Sequence, residues 1–446
     1  MTAPDRTETG RTAPDHAVTA AIAEIAQAIG TAAVELDPEA RERLSRDEYR
    51  MSPVLRRTLP VVVADAVVTP ISVDDVVAVM RIAVAHGVPV TPRGKGTGNY
   101  GQAVPMAGGI LLDLSRLTGI EEIGDASITA LAGTRIVQLE QALRRDGRQL
   151  LLLPSTMQST IGGFLAGGTG GSGSIEHGFI EDGFVLAIDV VLADGRGLVH
   201  LEGDDVLPYL HAYGTTGIIV RVTVAHEPER DWTSVLASFE DFAGARRALM
   251  ALIALEPAPR IASTDMAEFG RAFPKPMTLH PDTASLRTVV DRSALEEVES
   301  IIASHGGVVE RVEHSLPAEF QVCMLGFNHA TWHLISAEPD RWFHAEAMGT
   351  ALVERADEVL AVWPGAIQHL DAMRDRDGSP MPIGMIVAPY TTEAAIFEGV
   401  ERLRELGLFA SAPHSWTVNR RIDLLTETAA VTDPRGILNP GKLPRG

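Results

Sequence analysis

The sequence predicts an α+β protein built from two unlike units, and three observations carry that expectation. Strands and helices alternate with short connections from about Leu59 onward. The stretch 151–184 then holds nine glycines and few periodic apolar positions, far too many glycines for a packing element. Beyond Trp232 the glycines thin out, and two successive β-α-β passages suggest an antiparallel sheet with its helices on one face.

The frame is set by 446 residues, 45% of them hydrophobic and 22% charged, enough chain for two cores. With 38 basic against 59 acidic residues the formal charge is −21, so nucleic acid is a poor partner and any phosphate site must be local. Cys323 is the single cysteine, which excludes an intrachain disulfide and a multi-cysteine metal site and fits a reducing, cytoplasmic setting. The start, "MTAPDRTETGRTAPDHA", has neither an apolar signal core nor a basic opening, and no apolar run approaches the ~18 residues of a membrane span. Residues 1–16 are expected to be a disordered leader.

Taken in order, "AVTAAIAEIAQAI" has helical spacing of its apolar residues, and "RERLSRDEYRMSP" reads as a connection within an N-terminal segment, 17–56. "LPVVVADAV" reads as a β-run. Ser72 and Asp75 open the helix "DDVVAVMRIAVAHG", which Gly87 closes. "VPVTP", "GILLDLSRL" and "SITALAG" are strands, and Thr134 is the expected cap of "RIVQLEQALRRDG". "TIGGFLAGG" is a short helix. "VLAIDVVLADGRGLVHL" is a hairpin turning at Asp194-Gly195, and "GIIVRVTVAHEP" is the last strand of a unit spanning 57–229. The second unit, 230–410, opens with the two β-α-β passages, Ser293 and Glu296 forming an expected capping box in the second, and continues with helices and the strand "IGMIVAP". The Pro/Gly-rich tail within 411–446 is expected to cross back to the first unit.

"PRGKGTGNYGQ" (92–102) has four glycines in eleven positions and suggests a loop that wraps an anion through its backbone. It is not a P-loop, because G-x-x-x-x-G-K-[ST] is absent. "GTGGSG" (168–173) satisfies G-x-G-x-x-G, yet it lacks a preceding strand, a long following helix and an acid about 20 residues on, so a dinucleotide-binding Rossmann unit is disfavoured. A diphosphate needs several backbone donors at close approach, and a flat ring system needs small residues to lie against. One loop could supply each.

Taken together, "VTPRGKGTGNYGQ", "LPSTMQSTIGGFLAGGTGGSGS", "GTTGIIVRVTV" and "DPRGILNPGK" resemble the vanillyl-alcohol oxidase / p-cresol methylhydroxylase family of FAD-dependent oxidoreductases, in order and spacing over most of 57–229 and the tail. The resemblance implies a PCMH-type FAD-binding domain of two subdomains and a substrate (cap) domain over the isoalloxazine. It implies that Arg93, Gly94, Lys95, Gly96, Thr97, Gly98 and Asn99 cradle the diphosphate, with Pro92 beside them in the cofactor site, while Tyr100 either borders the flavin or merely packs the loop. Pro154, Ser155, Thr160, Ile161, Gly162, Gly163, Gly167 and Gly170 would line the flavin and its ribityl chain. Gly217 and Ile218 would reach the adenine side, and Asn439 with Lys442 would close the site. Many members attach FAD through a histidine that Thr97 replaces here, and no cysteine stands in the later glycine loop, so the FAD is expected to be noncovalent. The "GKGTG" form is closer to the FAD-linked D-2-hydroxyacid dehydrogenases, but their H-x-G-D-G-N run is absent.

Oxidation of an alcohol, hydroxyacid or amine needs a base near the flavin. The candidates are His329 and His333 in "GFNHATWH", His369 in "IQHL" and His414 in "APHSWTVNRR", with His177 a candidate flavin neighbour. For the four base candidates the plainer alternative is a surface or core histidine, and for His177 a hairpin or turn histidine. His329 and His333 lack a third ligand, so no metal is expected. Arg420 and Arg421 could bind a carboxylate or simply answer Asp423. The sequence points to an FAD-dependent oxidoreductase with a small-molecule substrate and oxygen or another electron acceptor, with a homodimer left open. A nicotinamide-linked Rossmann reductase and a degenerate flavin-binding protein are the rivals.

Overall fold

The computed structural model describes residues 16–443 apart from 61 and 376. The leader expected over 1–16 therefore lies outside the described residues except for His16, which opens the helix His16–Ile29. That helix packs with Val73–His86 against a four-stranded sheet whose core includes Val68, Val90, Ile110 and Leu112. The ends of Val73–His86 explain its limits. Ser72 and Asp75 form a reciprocal capping box, and Gly87 closes it at φ 66°. Strand Ile110–Asp113 lies between Ala66–Val68 and Val90–Arg93 and runs parallel to both.

A second, antiparallel sheet orders Ile120–Ile123, Ser127–Leu131, Ile218–Pro228, Val185–Val191 and Leu198–Glu202, with Arg148–Leu150 on the far end of Ile218–Pro228. Val185–Val191 and Leu198–Glu202 are the hairpin read around Asp194-Gly195. The tail joins the first sheet: the Val90 N–H donates to Ile437 O and the Asn439 N–H to Val90 O, each at 2.8 Å.

Four local expectations are corrected. Within "RERLSRDEYRMSP", the helix Pro38–Leu44, capped by Asp37, and the turn Tyr49–Met51 occupy what reads as a connection. Among its described residues, "LPVVVADAV" is strand only where it enters Ala66–Val68, because Leu59 ends the turn Leu55–Thr58 and packs with Tyr49 and Val104. Thr134 does not cap Ile136–Arg144. Its hydroxyl accepts the Gly119 N–H at 2.9 Å, and the N-cap is Arg135, whose N–H reaches Gln138 Oε1. Ser293 and Glu296 form no box, since Asp291 takes the Ser293 N–H and turns a 3-10 segment before the helix Leu295–Ser304.

The second unit is an eight-stranded antiparallel sheet. Trp232–Phe239, Ile261–Asp265, Ala284–Asp291 and Gly307–Glu313 form a β-α-β-β-α-β unit in spatial order 4-1-3-2. Trp342–Met348, Ile367–Asp371, Ile383–Pro389 and Phe409–Ser411 repeat that order, and the halves meet where Ile261–Asp265 pairs with Ile367–Asp371. One face buries Val235, Leu286, Phe343, Ala345 and Ile386 beneath Phe242–Ile253, Leu295–Ser304 and Glu393–Glu405. The other joins Trp232, Leu236 and Val289 to the core of the second sheet, with Ile161 and Phe184. Period two along Trp342–Met348 therefore puts His344, Glu346 and Met348 on the face toward the glycine loops.

Candidate functional site

The glycine segments converge, and their missing Cβ atoms show how closely. A Cβ on Gly94 would collide with Thr160 Oγ1, and one on Gly214 with the Pro92 ring. Thr160 caps the helix Ile161–Gly167 through the Gly163 N–H at 3.2 Å. Gly162 lies against Ala132, while Gly163 is exposed and Gly167 faces open space. Asn439 Nδ2 donates to Gln102 O (3.0 Å) and Tyr213 O (2.7 Å), and buried Lys442 donates to Gly101 O at 2.5 Å. Ile218 shares a core with Val90 and Leu438. Pro154 and Ser155 are buried, and Gly170 packs on Ser174 and Phe179.

The loop itself has the chemistry of an anion cradle. Arg93 folds back over Gly96, which sits at φ 67°, and donates to Arg46 O at 2.7 Å. Lys95 and Thr97 are exposed. The N–H groups of Lys95, Gly96, Thr97, Gly98 and Asn99 donate to no protein acceptor among the described residues. Asn439 Oδ1 is buried and equally unpartnered. Free backbone donors and a tail that closes over them fit the diphosphate of FAD. By contrast, "GTGGSG" follows one short helix and precedes the four-residue turn Ser174–His177, so no Rossmann element forms there. His177 turns away toward Glu227, at 3.6 Å.

Facing the loops is a polar cluster. Tyr100 Oη lies 3.0 Å from His344 Nε2 and 3.3 Å from Glu346 Oε1, and Asn328 Nδ2 donates to both Tyr100 Oη and Glu346 Oε1 at 3.2 Å. Burial, with Glu346 adding to it, holds the Tyr100 phenol well above its usual range, and burial raises the Glu346 carboxyl. Burial also pushes His344 down to about 3, so the ring is neutral. Its Nδ1 has no partner among the described residues. An unpaired lone pair costs less than an unpaired N–H, which assigns the proton to Nε2, donating to Tyr100, and leaves Tyr100 to donate to Glu346.

The four candidate bases divide. His329 and His333 stand on the helix Asn328–Ala337 with rings stacked 5.9 Å apart. Burial lowers both, a backbone hydrogen bond with Ser155 opposes the shift of His329, and His329 Nδ1 is unpartnered. His414 is buried, lowered to about 4 by desolvation, and bonded through Nδ1 to Ser52 Oγ at 2.7 Å. His369 is fully buried with both ring nitrogens committed, to Asp265 (2.7 Å) and Asp371 (2.8 Å), and has no nitrogen left for a substrate. Arg420 and Arg421 turn to Glu181, not Asp423. Sequence reasoning missed His344 and Glu346, and also His211, which bonds Gly168 O at 3.2 Å and Asn419 at 3.3 Å from a backbone at φ 52°. The signal for the first two was the polar alternation in "WFHAEAM".

Among known proteins, a family model described as an FAD binding domain matches residues 64–200. A D-lactate dehydrogenase of Archaeoglobus fulgidus is 32% identical over 181 residues, 38% of this chain and 40% of that protein. The glycolate oxidase subunit GlcD of Bacillus subtilis is 29% identical over 208 residues, 44% of each. The chain thus spans about two fifths of the length of the curated relatives it matches. Over nearly its whole length, 95%, it shares the fold of an alkyldihydroxyacetonephosphate synthase, with a TM-score of 0.73, 18% identity and 85% of that chain covered. The first unit is a PCMH-type FAD-binding domain, and the second is a separate α+β cap with an antiparallel sheet. FAD is the cofactor that this domain implies. No helix among the described residues is long and apolar enough to cross a membrane.

Proposed function

We propose that the protein is an FAD-linked oxidoreductase that holds its flavin without a covalent bond and removes a hydride from a small organic substrate. The observation that carries this is the facing of two surfaces: the free N–H groups of the glycine loop and, joined to that loop by Tyr100, the cluster His344–Glu346–Asn328 of the cap. Bound along Ser155–Gly163, the flavin supplies the hydride acceptor. Tyr100 and Asn328 orient the substrate, and His329, its pKa lowered by burial and its Nδ1 unpartnered among the described residues, takes the proton. Thr97 offers no ring nitrogen for attachment. Cys323 is buried on the helix Leu316–Cys323, its thiol pushed up to about 12 by burial, which supports a dissociable cofactor. Oxygen or another acceptor would take the electrons on.

The test is spectroscopic. Purified protein should carry or take up FAD, showing a band near ~450 nm, and that band should bleach anaerobically with a substrate among alcohols, hydroxyacids and amines. A colourless protein that refuses added FAD, or that binds NAD(H) tightly without flavin, would sink the proposal. A bound flavin that no substrate bleaches would leave a binding protein without turnover.

A further inference from the structure

One row of residues crosses the cap sheet on the face toward the glycine loops. Strand register aligns Ser285, Asp265, His369, Met385, Glu346 and Ser411 across six strands. Cross-strand neighbours share a face, so the three charged members of this row are directly comparable. Asp265 is neutralised twice, by Arg287 at 2.6 Å and by His369 at 2.7 Å. His369 also reaches Asp371. Glu346 pairs with no cation among the described residues. Its two hydrogen bonds, from Tyr100 and Asn328, both fall on Oε1, and the residue keeps some exposure, as do Tyr100, Asn328 and His329. Asn328 Oδ1 and, by the same argument from the cost of an orphaned N–H, His329 Nδ1 on the next residue are buried acceptors with no partner among the described residues. Partly buried Phe179, Phe327, Met348 and Met381 supply an apolar wall nearby.

Two guanidinium groups that act on this region are already paired. Arg287 is held by Asp265 and Leu325 O, and Arg420 by Glu181. A site of unsatisfied acceptors beside a carboxyl with no cationic partner receives a carboxylate poorly, because anion recognition needs free donors. It suits a hydrogen-bond donor.

We propose that Glu346 Oε2, with Asn328 Oδ1 and His329 Nδ1, anchors the substrate through a hydroxyl or ammonium group, and that the substrate carries no carboxylate beside it. This rests on the flavoenzyme proposal only for the presence of the flavin at the cleft.

The experiment is therefore a binding measurement that does not depend on flavin. Isothermal titration of the protein as isolated compares three ligands with one carbon skeleton: 1,2-propanediol, 1-amino-2-propanol and lactate. The diol or the amino alcohol should bind at least tenfold more tightly than lactate. E346Q keeps the side-chain shape and should cut that preference at least fivefold, chiefly by weakening the ammonium ligand. Lactate binding as tightly as the other two, no detectable binding of any of the three, or an unchanged preference in folded E346Q overturns the proposal. The wild-type comparison decides it even where the variant fails to fold. Failure to hold FAD would count against the flavoenzyme proposal and leave this result readable.

Discussion

Gly94 and Thr160 meet so closely that the glycine loop and the start of the helix Ile161–Gly167 form one surface: a Cβ on Gly94 would overlap Thr160 Oγ1. Thr160 cannot yield easily, because the same oxygen caps that helix through the Gly163 N–H. Gly94→Val should therefore disturb at once both segments proposed to hold the flavin, with a loss of cap energy of about 1 kcal/mol and loss of FAD. Gly96→Val adds a β-branched side chain at φ 67°, a strain of about 1–2 kcal/mol, where Arg93 already lies. Both variants should lose FAD on desalting. Retention equal to the parent protein would show that 93–99 is not the diphosphate loop.

Release of the cofactor checks Thr97. After acid precipitation, the yellow colour should pass entirely into the supernatant as free FAD. Flavin fluorescence that stays with the denatured chain on a gel would mean that some other side chain makes the bond.

The two units are joined by a buried ionic quartet. Arg144 and Glu140, on Ile136–Arg144, interlock with Arg260 and Glu319 from the cap: Arg144 reaches Glu140 at 2.9 Å and Glu319 at 2.7 Å, and Arg260 contacts both carboxylates. All four side chains are at most 8% exposed. Removing one partner strands a buried charge. Arg260→Met should lower stability in urea by about 3–5 kcal/mol, and adding Glu319→Gln should cost less than the sum of the single changes. Strict additivity would show that the four act separately.

The elements that sequence reasoning placed well are those with local causes. The Ser72–Asp75 box, the Asp194-Gly195 hairpin and the first two β-α-β passages follow from capping, turn chemistry and period-two apolar runs. The second half of the cap reads as helices and one strand because its strands carry polar residues on the face turned to the first unit. "WFHAEAM" and "IQHLD" place His344, Glu346, His369 and Asp371 where an ordinary sheet would show apolar positions. The site was half legible for a related reason. Glycine runs betray a backbone that must come close to something, whereas a cluster such as Tyr100–His344–Glu346 is assembled from positions some 240 residues apart in the chain, and only the register of the sheet brings it together.

His369 sits between Asp265 and Asp371 in a cluster that also clamps the turn before Asn328. Arg287 Nη1 donates to Leu325 O at 3.1 Å, and Asp371 Oδ2 accepts the Phe327 N–H at 2.8 Å. Burial alone would lower the imidazole pKa, but Asp371 and Asp265 raise it from 6.5 to about 9. Burial alone would likewise raise Asp265, but Arg287 and His369 bring it below its ordinary value. The sign follows from proton uptake. The native state binds the His369 proton more tightly than the unfolded chain, so this stabilisation is complete below pH 6.5 and is lost as pH rises toward about 9. Unfolding free energy should fall by an amount on the order of 2–3 kcal/mol across that window. His369→Gln cannot titrate and should flatten this slope while lowering stability near neutrality. Because the cluster fixes Phe327, the same variant should also loosen the Asn328 contacts with Tyr100 and Glu346, which hydrogen exchange at the start of Asn328–Ala337 would detect. A parent protein whose stability is constant from pH 6.5 to 9 would show that His369 is neutral in the fold.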